Sequence, residues 1–153
     1  MADLLAWIEG TSLATWTRES PSIWAYPTIL TLHTVGLGIV VGMSTVIDLR
    51  LLGYGRRIPL DAISGLFRMI AWAFVLNAVT GVLLFMSDAT TKGRQPILYI
   101  KLSLIGLALW NTVIARRIVR EEAGEPSRNR LVALTSLVLW SAAITAGRLM
   151  AYV

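Results

Sequence analysis

Long apolar stretches separated by short polar segments dominate the chain, and their lengths predict membrane-spanning helices. A helix needs roughly 20 apolar residues to cross the hydrocarbon core of a bilayer. Four stretches approach or exceed that length, at about residues 27–49, 63–85, 97–114 and 131–152. The segment after the third stretch is the longest and most charged connector. The pattern predicts an all-α fold, an integral membrane four-helix bundle formed by residues 1–153 as a single domain.

The first 20 residues are too short and too polar to cross a bilayer. Their apolar residues have helical spacing and include two tryptophans: Leu4, Leu5, Trp7, Ile8 and Trp16. Because tryptophan rings are enriched at the membrane–water interface, residues 1–20 are predicted to form a short interfacial helix. A hydroxyl residue followed by proline, as in Ser20-Pro21, is typical of a helix start, so a helix is expected to begin there.

The distribution of Lys and Arg residues along the chain predicts its orientation in the membrane. The net charge is +5, but the basic residues lie in the connectors and not on one soluble surface, which argues against nucleic-acid binding. Cytoplasmic loops of membrane proteins carry an excess of Lys and Arg. Most of the basic residues belong to the first and third connectors and the adjoining helix ends: Arg50, Arg56, Arg57, Arg68, Arg116, Arg117, Arg120, Arg128 and Arg130. Both termini are therefore predicted outside, in a multi-pass protein of the bacterial inner (plasma) membrane.

Three basic residues inside the spans fall at one predicted depth. His33 is about six residues into the first span from the outer side, roughly 9 Å along the helix. Lys101 is near the outer end of the third span, and Arg148 is near the outer end of the fourth. Ionisable groups within spans are costly and usually mark a functional site. Alternatively, Lys101 and Arg148 extend to the membrane surface and His33 is a structural residue between helices.

A haem explains this set of residues. His33 would ligate the iron, and the two cations would neutralise the propionates. Gly36, one turn from the histidine, leaves space for a close-packed helix or a flat macrocycle. Met86 and Met150 are candidate second axial ligands, and water or no ligand is an equal alternative. A bis-histidine haem would need His33 from two subunits. The chain has no cysteine, which excludes covalent c-type attachment.

Other polar residues favour structural roles. Asp48 is expected to pair with Arg50 or with an arginine on a neighbouring helix end, as a cytoplasmic anchor. Gly38 and Gly42 form a GxxxG pair, which is typical of helix packing or of a contact between subunits. Two further faces point towards the outer side: Asn77, Gly81, Leu84 and Asp88 on the second span, and Ser141, Thr145 and Arg148 on the fourth.

Motifs along nearly the whole chain, from Ser22 to Arg148, carry a family resemblance. They are WAYPTILTLHTVGLG, DLRLLG, TGVLLF, YIKLSLIGLALWN and a tryptophan followed by the Gly147-Arg148 pair. In these the chain resembles a family of uncharacterised four-helix bacterial membrane proteins. It is more distantly similar to J-type protoporphyrinogen oxidases and to membrane domains of the copper-resistance D type. The oxidase resemblance implies haem b with His33 as ligand, Lys101 as a site residue and a porphyrinogen as substrate.

The leading hypothesis is a membrane-bound b-type haem protein with an electron-transfer or redox role, whose partner is quinone or a periplasmic redox protein. The chain is also expected to form a homo-oligomer. One alternative is an oxidoreductase of the porphyrinogen oxidase type. Copper handling through His33 with Met86 or Met150 is another, and a cofactor-free accessory subunit is the last. The sequence has no nucleophile–base constellation and no phosphate loop, which argues against hydrolase or nucleotide-dependent chemistry.

Overall fold

The computed structural model describes residues 2–54, 60–121 and 125–152, and every regular element in those ranges is a helix. The three short helices are α1 (Ala2–Glu9), α2 (Ser12–Glu19) and α5 (Ala89–Lys92). The four long helices are α3 (Tyr26–Leu51), α4 (Leu60–Met86), α6 (Pro96–Glu121) and α7 (Pro126–Leu149). Each long helix has the length and hydropathy needed to cross a membrane. The prediction of an all-α four-helix membrane bundle is confirmed.

The long helices alternate in direction, so both chain termini lie at one end of the bundle, called here the terminal end. Helix α3 packs between α4 and α7, and α6 packs mainly against α7, whereas α4 and α6 touch only sparsely. Buried positions on α3 recur every three or four residues, which is the period of one helix face. They are Ile29, Gly36, Val40, Ser44, Ile47 and Asp48. Apolar side chains from all four helices meet there in one core.

One buried asparagine joins the two helices of each hairpin. Asn77 on α4 donates its side-chain N–H to the backbone carbonyl of His33 on α3, at 2.7 Å. Asn111 on α6 donates in the same way to the carbonyl of Val132 on α7, at 2.9 Å. Where water is scarce, such bonds between helices satisfy the amide and fix how one helix is aligned along the other.

The two N-terminal helices fold against the terminal end. The Glu9 carboxylate accepts hydrogen bonds from the backbone N–H and the hydroxyl of Thr90, at 2.8 and 2.6 Å. Arg18 donates to Glu9 at 3.0 Å and to the backbone carbonyl of Ser87 at 3.4 Å. A polar cluster, formed by Glu9, Arg18, Ser87 and Thr90, therefore attaches α1 and α2 to the segment that joins α4 to α6.

Three expectations about element boundaries need correction. Ser20 does not start a helix: its backbone N–H donates to the Trp16 carbonyl, so it ends α2. The N-terminal segment is two helices, because Thr11 caps the start of α2 and separates it from α1. Much of the charged connector after the third span is helical, since α6 continues to Glu121 and α7 begins at Pro126. Arg56 and Arg57 of the first connector lie outside the described residues.

Candidate functional site

His33 lies on the inward stripe of α3, in the third of the helix nearest the terminal end, and its side chain is half-buried against α4. Its ring nitrogen Nδ1 is 3.0 Å from the backbone carbonyl oxygen of Asn77 and 3.1 Å from the hydroxyl oxygen of Thr80. His33 comes four residues after the buried Ile29 and three before the buried Gly36. Residues at these spacings share one helix face, so the His33 ring faces inward.

These contacts determine which ring nitrogen carries the hydrogen. A backbone carbonyl only accepts, so Nδ1 must be the N–H that donates to Asn77. The Thr80 hydroxyl is 2.7 Å from the Leu76 carbonyl, to which it donates, and its oxygen can then accept from the same Nδ1–H. The lone pair of a neutral imidazole is left on Nε2. Histidine ligands of metals are commonly held in this way, with the second ring nitrogen bound to a carbonyl.

Two glycines allow α3 and α4 to approach at this point. A Cβ atom on Gly81 would lie 3.0 Å from the His33 Cε1 atom, so only glycine leaves the ring its present place. A Cβ atom on Gly36 would lie 3.2 Å from the Ala73 carbonyl oxygen on α4. Of the two interpretations of Gly36, close helix packing is therefore the one the structure has, and the space beside it is filled by α4 and not left for a macrocycle.

Lys101 is also on an inward stripe. It lies two turns before the fully buried Ala108 on α6, and its side chain is partly buried against α7. A Cβ atom on Gly147 would lie 3.3 Å from the lysine Cε and 3.4 Å from Nζ, so this glycine gives the lysine its path across α7. The ammonium has no hydrogen-bond or ion-pair partner among the described residues, and it is within electrostatic range of the His33 ring. Lys101 and His33 thus belong to one neighbourhood.

Arg148 has a different environment. It is exposed, as are Ser141 and Thr145, so the polar stripe on α7 lies on the outside of the chain. The guanidinium carbon is 5.5 Å from the centre of the Tyr152 ring, a cation–π contact at the surface. The sequence predicts one depth for Arg148 and His33, but the exposed Arg148 does not share the inward direction of the histidine.

The two methionines also lie apart from the histidine. Met86 is five residues beyond Gly81, which rotates it by about 140° away from the face that touches His33. Met150 follows the last residue of α7 and caps that helix with its backbone N–H. Neither makes a described contact with the imidazole. Within the described ranges, no group of three or more His, Cys, Asp or Glu side chains is placed to hold a metal ion.

The predicted pairing of Asp48 with an arginine is not found among the described residues. The hydrogen-bond partner of Asp48 is Ser136 on α7. Asp48 is buried on the inward face, whereas Arg50 is two residues further and faces elsewhere. The sequence showed two opposite charges close together along the chain, but a separation of two residues puts them on different sides of a helix.

Thr80 is the site residue that sequence reasoning missed. The face through Asn77 and Gly81 was recognised, and Thr80 lies beside it. Threonine in a membrane helix commonly bonds to the carbonyl four residues back, as Thr80 does to Leu76. Its presence therefore carries no signal of a site by itself. Only its distance from the His33 ring, which needs the packing of α3 on α4, reveals the contact.

Comparisons with protein-family models, with curated proteins and with solved structures find no match to this chain. The residues around His33 are therefore the feature of this chain that points to a function.

Proposed function

We propose that the protein is a membrane-bound b-type haem protein, in which Nε2 of His33 binds the iron near the terminal end of the bundle. The observation that carries the proposal is the hydrogen bond from Nδ1 to the Asn77 carbonyl, at 3.0 Å. This bond fixes the ring orientation and makes Nε2 the nitrogen with the free lone pair.

The donor set suits a haem better than a free metal ion. A macrocycle supplies four nitrogens, so the iron needs only one or two ligands from the protein. One histidine without a neighbouring carboxylate or thiolate meets that need. A copper ion bound by the protein alone would need several clustered ligands, and neither Met86 nor Met150 is on the face that holds His33.

Lys101 supports the same proposal through its charge. An ammonium group that is partly buried, without a partner in the described chain, is placed to bind an anionic group such as a haem propionate. Arg148 is at the surface of the chain, so in this proposal it would bind a propionate only at the edge of the bundle, or beside a second protomer. The second axial position is assigned to no residue of the same chain.

The role we propose is electron transfer with a membrane quinone or a soluble partner on the side that carries the termini. Bound haem supplies an iron that cycles between two oxidation states. The protein's own contribution is to hold the imidazole, exclude water from the ring by packing it against α4, and balance charge through Lys101.

An absorption spectrum of the detergent-purified protein tests the proposal. From cells with adequate haem supply, we expect a Soret band that the variant His33→Ala lacks. Thr34→Ala is a matched control, because Thr34 is adjacent but exposed. Gly81→Ala should shift or weaken the band by displacing the ring, whereas Gly38→Ala should not, since a Cβ there meets nothing within 4 Å. A colourless wild type, or full haem content in His33→Ala, would overturn the proposal.

A porphyrinogen-oxidising enzyme is the second candidate, favoured by the Lys101 ammonium, which has no partner among the described residues and is within electrostatic range of the histidine. Such an enzyme would use this charge to bind a carboxylated substrate. Complementation of a strain that lacks its own protoporphyrinogen oxidase separates the candidates: growth that depends on both His33 and Lys101 supports the enzyme, and a haem-loaded protein that fails to complement supports electron transfer alone.

A further inference from the structure

A second polar group lies inside the bundle, towards the end opposite the termini. Ser44 and Asp48 are one turn apart on the inward face of α3, and Ser136 and Trp140 are one turn apart on the inward face of α7. All four residues are 2–3% exposed. Asp48 is 15 residues from His33, or about 22 Å along the helix, so the two groups are separate.

The antiparallel packing of α3 on α7 determines which of these residues face each other. Asp48 and Ser136 are joined by a hydrogen bond and so lie at one level. One turn nearer to the terminal end, α3 presents Ser44 and α7 presents Trp140. The four residues therefore form two adjacent layers across one helix–helix contact.

Three polar atoms of this group have no hydrogen-bond partner among the residues that the structure describes. They are the hydroxyl oxygen of Ser44, the Oδ2 oxygen of Asp48 and the indole Nε1 of Trp140. A buried polar atom without a hydrogen bond is costly, and native proteins satisfy the great majority of them with protein groups or with ordered water. Three such atoms on two adjacent turns indicate that they share a ligand.

The kinds of hydrogen bond that these atoms form identify the ligand. The indole N–H only donates, a carboxylate oxygen accepts, and a serine hydroxyl does both. A metal cation would bind the oxygens but would leave the indole N–H unsatisfied and facing a positive charge. A water molecule can accept from the indole and donate to both oxygens, and a buried water typically makes about three hydrogen bonds.

We propose that α3 and α7 enclose a water-binding site formed by Ser44, Asp48 and Trp140, with Ser136 holding the carboxylate. The bound water donates a hydrogen bond to the Asp48 carboxylate inside the membrane-spanning part of the chain. The site is independent of any cofactor at His33, because it uses other residues and a different helix pair.

Radiolytic footprinting of the full chain in detergent tests this proposal. X-ray pulses produce hydroxyl radicals from bound as well as bulk water, and mass spectrometry locates the oxidised side chains. We expect oxidation of Trp140 despite its burial, and protection of Phe67, a core aromatic residue that is 8% exposed. Trp140 protected as fully as Phe67 in the wild type would overturn the proposal.

Two variants refine the experiment. Ser44→Ala combined with Asp48→Leu removes both oxygens, and the oxidation of Trp140 should fall several-fold, because the water loses two of its three partners. Asp48→Asn is the matched control, since the amide keeps an oxygen and the oxidation should stay near the wild-type rate. Unchanged oxidation of Trp140 in the folded double variant would contradict the site. The wild-type comparison stands without the variants if the double variant does not fold.

Discussion

At the scale of single residues, one asparagine holds the candidate ligand from two directions. Its backbone carbonyl accepts from the His33 ring, and its side-chain amide donates to the His33 backbone. The two bonds are separable by mutation, because a substitution at Asn77 removes the amide but leaves the carbonyl. The orientation of the ring and the attachment of the two helices therefore depend on different parts of the same residue.

Asn77→Leu is expected to lower stability without releasing the His33 ring. Loss of one interhelical hydrogen bond should reduce the free energy of unfolding by roughly 0.5–2 kcal/mol. Unfolding in mixed detergent micelles measures the change, and Asn111→Leu, which removes the matching bond of the other hairpin, is the control of equal size. If haem binds, its spectrum should persist in Asn77→Leu. Loss of the spectrum with unchanged stability would contradict this division of roles.

At the scale of elements, hydropathy predicted the four spans but not where the helices end. Hydropathy indicates the part of a helix that lies in lipid, whereas Arg and Glu continue a helix well beyond it. For this reason α6 continues through charged residues to Glu121, past the apolar stretch that ends near 114. Ser20-Pro21 has the composition of a helix start, yet the turn that follows delays α3 to Tyr26. A local sequence signal of this kind is compatible with either a helix start or a helix end. The tertiary contacts that decide between the two are not visible in the sequence.

The inward direction of residues was only partly predictable. Both His33 and Lys101 lie on the inward stripe of their helix, and the helical period of the apolar residues is compatible with that position. Arg148 has the same depth but lies outside the stripe of α7, one position after Gly147. Depth follows from counting residues along a span, but the inward direction requires knowing which face the neighbouring helices cover.

Acid should release the N-terminal helices. The hydrogen bonds from Thr90, and more weakly the charge of Arg18, hold the pKa of the Glu9 carboxyl below its ordinary value of 4.5. A group with a lowered pKa stabilises its contact above the ordinary value, and this contribution is lost as the pH falls through the lowered one. Hydrogen exchange at the Thr90 amide should therefore accelerate below about pH 4.5.

Glu9→Gln supplies the control for that pH dependence. The amide has no charge to lose, so exchange at Thr90 should be faster than in the wild type at neutral pH and should show no further step on acidification beyond the intrinsic chemistry. Equal protection in both proteins at neutral pH would show that the carboxylate does not attach α1 to the bundle.

At the scale of the whole molecule, the arrangement is two hairpins joined side by side. Helices α3 and α4 form the first, α6 and α7 the second, and α3 contacts α7 between them. The candidate haem site uses mainly the first hairpin, with Lys101 supplied by the second, whereas the proposed water site lies where the two hairpins meet. The candidate haem site therefore depends mainly on the pairing of α3 with α4, whereas the water site depends on the packing of one hairpin against the other.

The distribution of arginines predicts that both termini face the outside, and the lack of native cysteine makes this simple to test. Ala2→Cys and Ser127→Cys introduce single thiols at exposed positions on opposite ends of the bundle. A membrane-impermeant maleimide should label the first in intact cells and the second only after permeabilisation. The reverse pattern would place His33 and Lys101 towards the cytoplasm and would require an electron donor or acceptor there.

The bond from Asn77 to His33 also has a consequence for biogenesis. Every described hydrogen-bond partner of the imidazole comes from the first hairpin, which the ribosome completes before it begins α6. We therefore expect the ring to take its orientation during membrane insertion, once α3 and α4 pair. Lys101 arrives later, with the second half of the chain, so the ligand is in place before the charge that would accompany it.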